Sequence, residues 1–210
     1  MGNVTFEVST ENPYNITGRC LNRDWFAVPL PIVWEILSDY LHFVSRSYDI
    51  QIHLFVLMAN HFHLMASSPT GSLSQAMQYF MAQTSRALAK EANRINHIWG
   101  ARFYRCEIQT HHHFLNAYKY NYRNPVSVGI VDRPEDYRFS SLHGLLGKSP
   151  LTIPLVEDAT LFSDVEGTLI WLNSRPADKN WDAVRKGLRR RVFELPKVDS
   201  LPHRLEIDLL

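Results

Sequence analysis

Apolar and polar residues change period along this chain, and each period predicts an element. Tyr14-Asn15-Ile16-Thr17-Gly18-Arg19-Cys20 alternates, as a strand with one buried face does. Pro29 and Pro31 stand where a helix can begin, and from Ile32 to about Ser47 the residues Val33, Ile36, Leu37, Tyr40, Leu41 and Val44 recur at helical spacing. Asp49 to Met58 reads as a second strand. Ala59-Asn60 is a short break, and His61 to Ser67 is a third strand, so the pair forms an antiparallel hairpin. After the loop Ser68-Pro69-Thr70-Gly71-Ser72 a helix runs from about Leu73 to Ile95. Ser72 or Ser74 is its N-cap, and Ala76, Met77, Phe80, Met81, Thr84, Leu88 and Ala89 are its inner stripe. Trp99 to Ile108 reads as a loop and a fourth strand. A third helix covers about His112 to Arg123 and stops at Asn124-Pro125, because a residue before proline disfavours the helical region.

The predicted order βαββαβα is an α+β pattern: a ferredoxin-like antiparallel sheet (βαββαβ) with helices on one face and one further helix after it. The pattern weakens after Ser141. Residues 1–148 are taken as one domain and residues 149–210 as a C-terminal extension, partly helical and basic. Within it, positions 175–194 hold seven Lys or Arg against three Asp or Glu.

The hairpin carries the first candidate chemistry. On a strand, positions i and i+2 share a face, so His61 and His63 present two imidazoles side by side while Phe62 points to the core. Imidazole suits divalent transition metals, but two histidines do not complete a site. The ordinary alternative is a pair of edge histidines. His111-His112-His113 reads as a helix N-terminus rather than a metal cluster, His53 as structural and His97 as a loop residue.

Composition narrows the class. With 45% hydrophobic and 12% aromatic residues the chain can bury a sizeable core, and a net charge of +1 means that any nucleic-acid surface must be local. Cys20 and Cys106 lie far apart in no metal-like spacing and read as thiols of a reducing compartment. The N-terminal residues lack the basic and apolar regions of a signal peptide, and no apolar run is long enough for a bilayer. A soluble, cytoplasmic protein with no membrane partner is expected.

The third helix carries the second candidate. Tyr120 and Asn124 stand four apart and share one face. An amide oxygen is a hard ligand that Mg²⁺ and Mn²⁺ accept, and a tyrosine one turn away could act as a nucleophile. Seen alone, a tyrosine-rich helix is a packing device and Asn-Pro is a helix stop.

Taken together, the two segments carry a resemblance. Val56-Leu57-Met58 followed by His61-Phe62-His63 resembles the HUH motif, in which U is a large hydrophobic residue. Tyr120-Asn121-Tyr122-Arg123-Asn124-Pro125-Val126, then Gly129-Ile130-Val131 and Asp136-Tyr137-Arg138-Phe139-Ser140-Ser141, resembles the second signature of one-tyrosine HUH transposases, in the branch of the REP-associated tyrosine transposases. The resemblance spans about residues 13–145. It departs at Ala59, where the family often has proline, and residues 151–210 match nothing assignable.

The resemblance implies that His61 and His63 bind a divalent metal, Mg²⁺ or Mn²⁺, with Asn124 as a third ligand. It implies that Tyr120 attacks a phosphodiester of single-stranded, hairpin-forming DNA and leaves a 5′-phosphotyrosine and a free 3′-OH. Tyr118 and Tyr122 compete for that role, but each lies about 200° around the helix from Tyr120. Candidate DNA contacts are Arg19, Arg23, Arg86, Lys90, Arg94, Arg102 and Arg105, with the 185–191 cluster as a further strip. Trp25, Trp99, Phe103 and Tyr104 are candidate stacking platforms for bases. Some relatives build each site from two chains, so a homodimer is one expectation and a monomer the other. The alternatives are a catalytically silent hairpin-binding module and a replication-initiator-type nickase.

Overall fold

The structure, a computed structural model, describes residues 8–95, 97–195, 197–198 and 201–202. Four strands form one antiparallel sheet in the order β2-β3-β1-β4: β1 Tyr14–Arg19, β2 Gln51–Leu57, β3 His61–Ser67 and β4 Tyr104–Glu107. This is the ferredoxin-like arrangement expected from the element order. Helices α1 (Leu30–Tyr48) and α2 (Leu73–Glu91) cover one face. Their inner stripes meet Tyr14, Ile16, Ile52, Phe55, Phe62 and Leu64 in the first core, where every residue named is fully buried. In β1 and β3 these are the positions that alternation assigns to one side of the sheet, whereas in β2 a register shift between Ile52 and Leu54 moves the inward face from Ile52 to Phe55.

The other face belongs to the rest of the chain. Helix α3 (His111–Ser127) crosses it, followed by α4 (Ser141–Leu145), α5 (Ala159–Ser163), α6 (Val165–Asn173) and α7 (Asp178–Gly187). A second core joins Leu54, Val56, Met65 and Cys106 of the sheet to Tyr118 and Tyr122 of α3, and to Leu161, Trp171, Leu172, Val184, Leu188 and Phe193 of the extension. The sheet is thus sandwiched, and the extension is part of the packing. Backbone bonds extend this: Glu107 N–H donates to Arg191 O and Phe193 N–H to Glu107 O, each at 2.8 Å, so the chain after α7 lies along the free edge of β4.

Two predicted helix ends move. Helix α2 stops at Glu91 and not at Ile95, because Asn93 takes a left-handed φ of 49°. Its N–H bonds to Lys90 O while Arg94 N–H bonds back to Ala89 O, a closed C-terminal turn that ends the helix on an asparagine. Helix α3 runs on to Ser127 with Pro125 inside it, where an end at Asn124-Pro125 was expected. A proline inside a helix costs about 3 kcal/mol. Here it sits in the last turn, where little of the hydrogen-bond ladder remains to lose, and it is buried with Tyr122, Arg123 and Asn124. Burial of that turn offsets the local cost, and Arg123 Nη1 donates to Leu172 O at 2.6 Å.

Asp136 to Ser141 proves to be a clamp on the sheet edge. Tyr137 Oη donates to Leu57 O at 2.6 Å, Leu57 N–H to Phe139 O at 2.9 Å and Phe55 N–H to Ser141 Oγ at 2.9 Å. Ser141 Oγ also meets Tyr122 Oη at 3.0 Å, tying α3 to β2. Among the described residues no helix is long and apolar enough to cross a membrane.

Candidate active site

The β2–β3 hairpin is closed by Met58 N–H donating to His61 O at 2.8 Å. Asn60 then fastens the turn, with Nδ2 donating to Arg23 O at 2.8 Å. Its Oδ1 meets His61 Nδ1 at 2.7 Å. An amide oxygen only accepts, so the proton of His61 sits on Nδ1 and Nε2 keeps its lone pair. His61 and His63 face one another with ring centroids 5.0 Å apart, edge to face. They project from the sheet face opposite Phe62, in register with Arg19 and Thr17 of β1.

His63 is 6% exposed, and both its ring nitrogens are buried without a hydrogen-bond partner among the described residues. A buried imidazole with no partner in the protein has both nitrogens available to a ligand. Burial and the nearby Arg19 guanidinium pull His61 down to about 4. Burial, His61 and Arg19 pull His63 well below its ordinary value. Both imidazoles are therefore neutral at pH 7, the form that binds metal. Among the described residues no cluster of three His, Cys, Asp or Glu forms here.

The three tyrosines of α3 part company. Tyr118 and Tyr122 are each 1% exposed, and their hydroxyls are engaged: Tyr118 Oη donates to Asp158 Oδ2 at 2.8 Å, and Tyr122 Oη meets Ser141 Oγ. Burial pushes both phenols above their ordinary range. Tyr120 instead turns to the histidines, its ring centroid 6.1 Å from that of His63. Burial raises its phenol, while Arg185, Arg189 and Arg19 work to lower it. Asn124 lies one turn on, 8% exposed, and is not among the residues that line the cavity.

That cavity has a volume of about 270 Å³ and is walled by Asn15, Thr17, Arg19, His61, His63, Tyr104, Tyr120, Arg185, Leu188 and Arg189. Sequence reasoning treated 185–191 only as a basic strip and missed Trp181, whose ring lies 4.5 Å from that of Tyr120. The i, i+4 spacing of Trp181 and Arg185 marked a helix face, but nothing in the sequence said which surface it covers.

The other candidate DNA contacts scatter. Arg102 and Arg105 line a groove of about 630 Å³ beside α2, where Arg105 Nη1 donates to Ser74 Oγ at 2.8 Å. Arg94 lines a separate hollow with Trp25, whose ring is 78% exposed. Arg23, Arg86 and Lys90 are exposed. Trp99 is no stacking platform: it is 7% exposed, and its Nε1 donates to the buried Thr84 hydroxyl at 3.0 Å. Tyr104 is 40% exposed at the cavity.

Residues 31–122 match the family described as transposase, IS200 like, so the resemblance read from the motifs holds over the segment that contains His61, His63 and Tyr120. The fold is similar to that of a REP-associated tyrosine transposase solved bound to a REP hairpin, with a TM-score of 0.59 and 20% identity over 75% of this chain and 93% of that one. A protein of Deinococcus radiodurans R1 described as a candidate transposase aligns over 57% of this chain and 93% of its own at 12% identity, with a TM-score of 0.39, too low to carry any argument. None of the curated proteins compared matches.

Proposed function

We propose that the chain is a metal-dependent transposase that cuts and rejoins hairpin-forming single-stranded DNA, with Tyr120 as nucleophile. The observation that carries this is the division of α3: Tyr118 and Tyr122 are locked in the core, and Tyr120 alone of the three faces His61 and His63 across the cavity. The hairpin-bound relative of the same fold supports hairpin DNA as the substrate class.

Two imidazoles and an amide oxygen suit a divalent transition ion such as Mn²⁺, and Mg²⁺ where phosphate oxygens and water complete its sphere. His61 Nε2 and a ring nitrogen of His63 would hold it, with Asn124 as an oxygen ligand once its amide turns to the histidines. When bound, such an ion offsets charge gathering on a non-bridging phosphate oxygen. Everything else falls to the chain. Tyr120 Oη bonds to phosphorus as the bond from phosphorus to O3′ breaks. The phenol proton leaves, and the departing 3′-oxygen takes one up. The product is a 5′-phosphotyrosine diester with a free 3′-OH. Because the diester keeps the energy of the broken link, a 3′-OH can attack it and rejoin strands without ATP. Tyr104 and Trp25 offer exposed rings for unpaired bases, each stacked base being worth about 1–3 kcal/mol.

The test is incubation of the full chain with labelled hairpin DNA in Mg²⁺, Mn²⁺ or EDTA, followed by a denaturing gel. A protease-sensitive, metal-dependent shifted band whose peptide contains Tyr120 is the expected result. Cutting without an adduct would mean a water-activating nuclease. Neither cutting nor adduct, with hairpin binding intact, would mean a binding module.

A further inference from the structure

Helix α7 lies in the extension, outside the 31–122 segment, yet it forms one wall of the cavity. Trp181 packs on the Tyr120 ring. One turn later Arg185, and one turn after that Leu188 and Arg189, reach the space in front of the histidines. Arg19 closes the opposite side from β1, beside His61 in the sheet register. Three guanidinium groups from two distant parts of the chain therefore converge on one cavity that also contains the nucleophile.

The placement is anchored. The backbone after α7 bonds to both the N–H and the C=O of Glu107 on the free edge of β4. Gly187 ends the helix where an added Cβ would come within 2.7 Å of Glu194 O and 3.1 Å of the Phe193 ring, so only glycine lets these two backbones approach so closely. The end of α7 is thus docked against the sheet edge.

We infer that Arg185 and Arg189, with Arg19, form a phosphate-binding wall that seats the phosphodiester attacked by Tyr120, so that the C-terminal extension completes the active site. This rests on the reading that the cavity takes DNA. Guanidinium groups match the geometry of phosphate oxygens and stay charged at any working pH. Arg185 now pairs with Asp182 at 2.9 Å, both half exposed. An arriving phosphate must compete with that carboxylate for the guanidinium, so Asp182 weakens anion binding at this wall. The same three arginines lower the Tyr120 phenol against its burial.

The experiment uses the full chain in EDTA and a four-nucleotide single-stranded DNA as probe. Binding is read from Trp181 fluorescence, taken as the difference from the Trp181→Phe variant. Arg185 and Arg189 are exposed, so replacing both with Gln leaves the fold intact. The double Gln variant should bind at least about tenfold more weakly, with a salt slope smaller by about 1.4, or 0.7 per lost contact. Replacing both with Lys should bind between the parent and the Gln variant, since the charge is kept and the planar fork is lost, and a Lys variant as weak as the Gln variant overturns the charge part of the inference. Asp182→Asn should tighten binding severalfold, a result that a structural role for the helix would not produce. No Trp181 response up to about 1 mM probe, a Gln variant within about twofold of the parent, or weaker binding by Asp182→Asn each overturns the inference. A second arm measures single-turnover adduct formation on hairpin DNA with Mg²⁺, where the Gln variant should be at least about tenfold slower. If the parent chain forms no adduct but the probe results hold, the phosphate wall stands and the transposase reading falls.

Discussion

The ring of Tyr120 stands edge to face with that of His63, their centroids 6.1 Å apart, although the two residues come from different layers of the fold. Its neighbours on the helix, Tyr118 and Tyr122, face away and bond to Asp158 and Ser141. The three tyrosines should therefore separate cleanly on substitution. Tyr120→Phe is expected to abolish covalent attachment to DNA while leaving hairpin binding and the melting temperature nearly unchanged. Tyr118→Phe leaves a buried carboxylate short of a donor, and Tyr122→Phe removes a buried hydroxyl contact. Each should cost about 1–3 kcal/mol in denaturant unfolding and still permit the adduct. An adduct on Tyr120→Phe would show the nucleophile to be elsewhere.

Asn60 links the turn to the chemistry. It fastens the hairpin through Arg23 O and fixes the tautomer of His61 through a 2.7 Å contact. Residues that orient a metal-binding histidine are worth about 10–100-fold in metal affinity. Asn60→Ala should weaken Mn²⁺ binding in a calorimetric titration by about that factor. The cost in folding stability should be modest, because the strand register is held by β1 on the far side of β3. Unchanged Mn²⁺ affinity would dissociate Asn60 from the site.

Acid should destabilise the protein in a defined window. Burial lowers His53 from 6.5 to about 4, and His61 and His63 shift in the same direction. For a base whose folded-state value is depressed, the unfolded chain binds more protons between the two values. Stability is then full above pH 6.5 and falls as pH drops toward 4. His53 Nε2 meets Ser67 Oγ at 2.6 Å and its ring packs edge-on against Phe114, and it is not among the residues that line the cavity. Replacing His53 with Gln should flatten this acid limb by up to about 3 kcal/mol in urea unfolding at pH 4 compared with pH 7. A limb of unchanged steepness would assign the effect to other groups.

Two tryptophans proposed for stacking should behave oppositely. Trp99 donates to Thr84 inside the first core, so Trp99→Phe should lower stability by about 1 kcal/mol with hairpin affinity intact. Trp25 is exposed, and Trp25→Ala should leave the melting temperature alone while costing about 1–3 kcal/mol in binding, if a base stacks there. Fluorescence anisotropy with labelled hairpin DNA distinguishes the two.

Much of this architecture is local in origin, and local patterns survive reading from the chain alone. Alternation at Tyr14–Arg19 and His61–Ser67 and helical spacing in α1 and α2 determined the sheet and its first cover. The pitch of two residues put His61 and His63 on one face, and the pitch of 3.6 put Tyr118 and Tyr122 away from Tyr120. The ends of α2 and α3 were less legible, because Asn93 in a left-handed turn and Pro125 in a buried last turn are decided by closing hydrogen bonds and packing, not by periodicity. Tertiary structure alone decided the rest. It turned α3 onto the open face of the sheet and buried Trp99. It also brought Trp181, Arg185 and Arg189 across some sixty residues of chain to the ring of Tyr120. A basic helix carries the same charges wherever it docks. Burial of Val184, Leu188 and Phe193 in the second core, together with the backbone bonds to Glu107, fixes which surface those charges face.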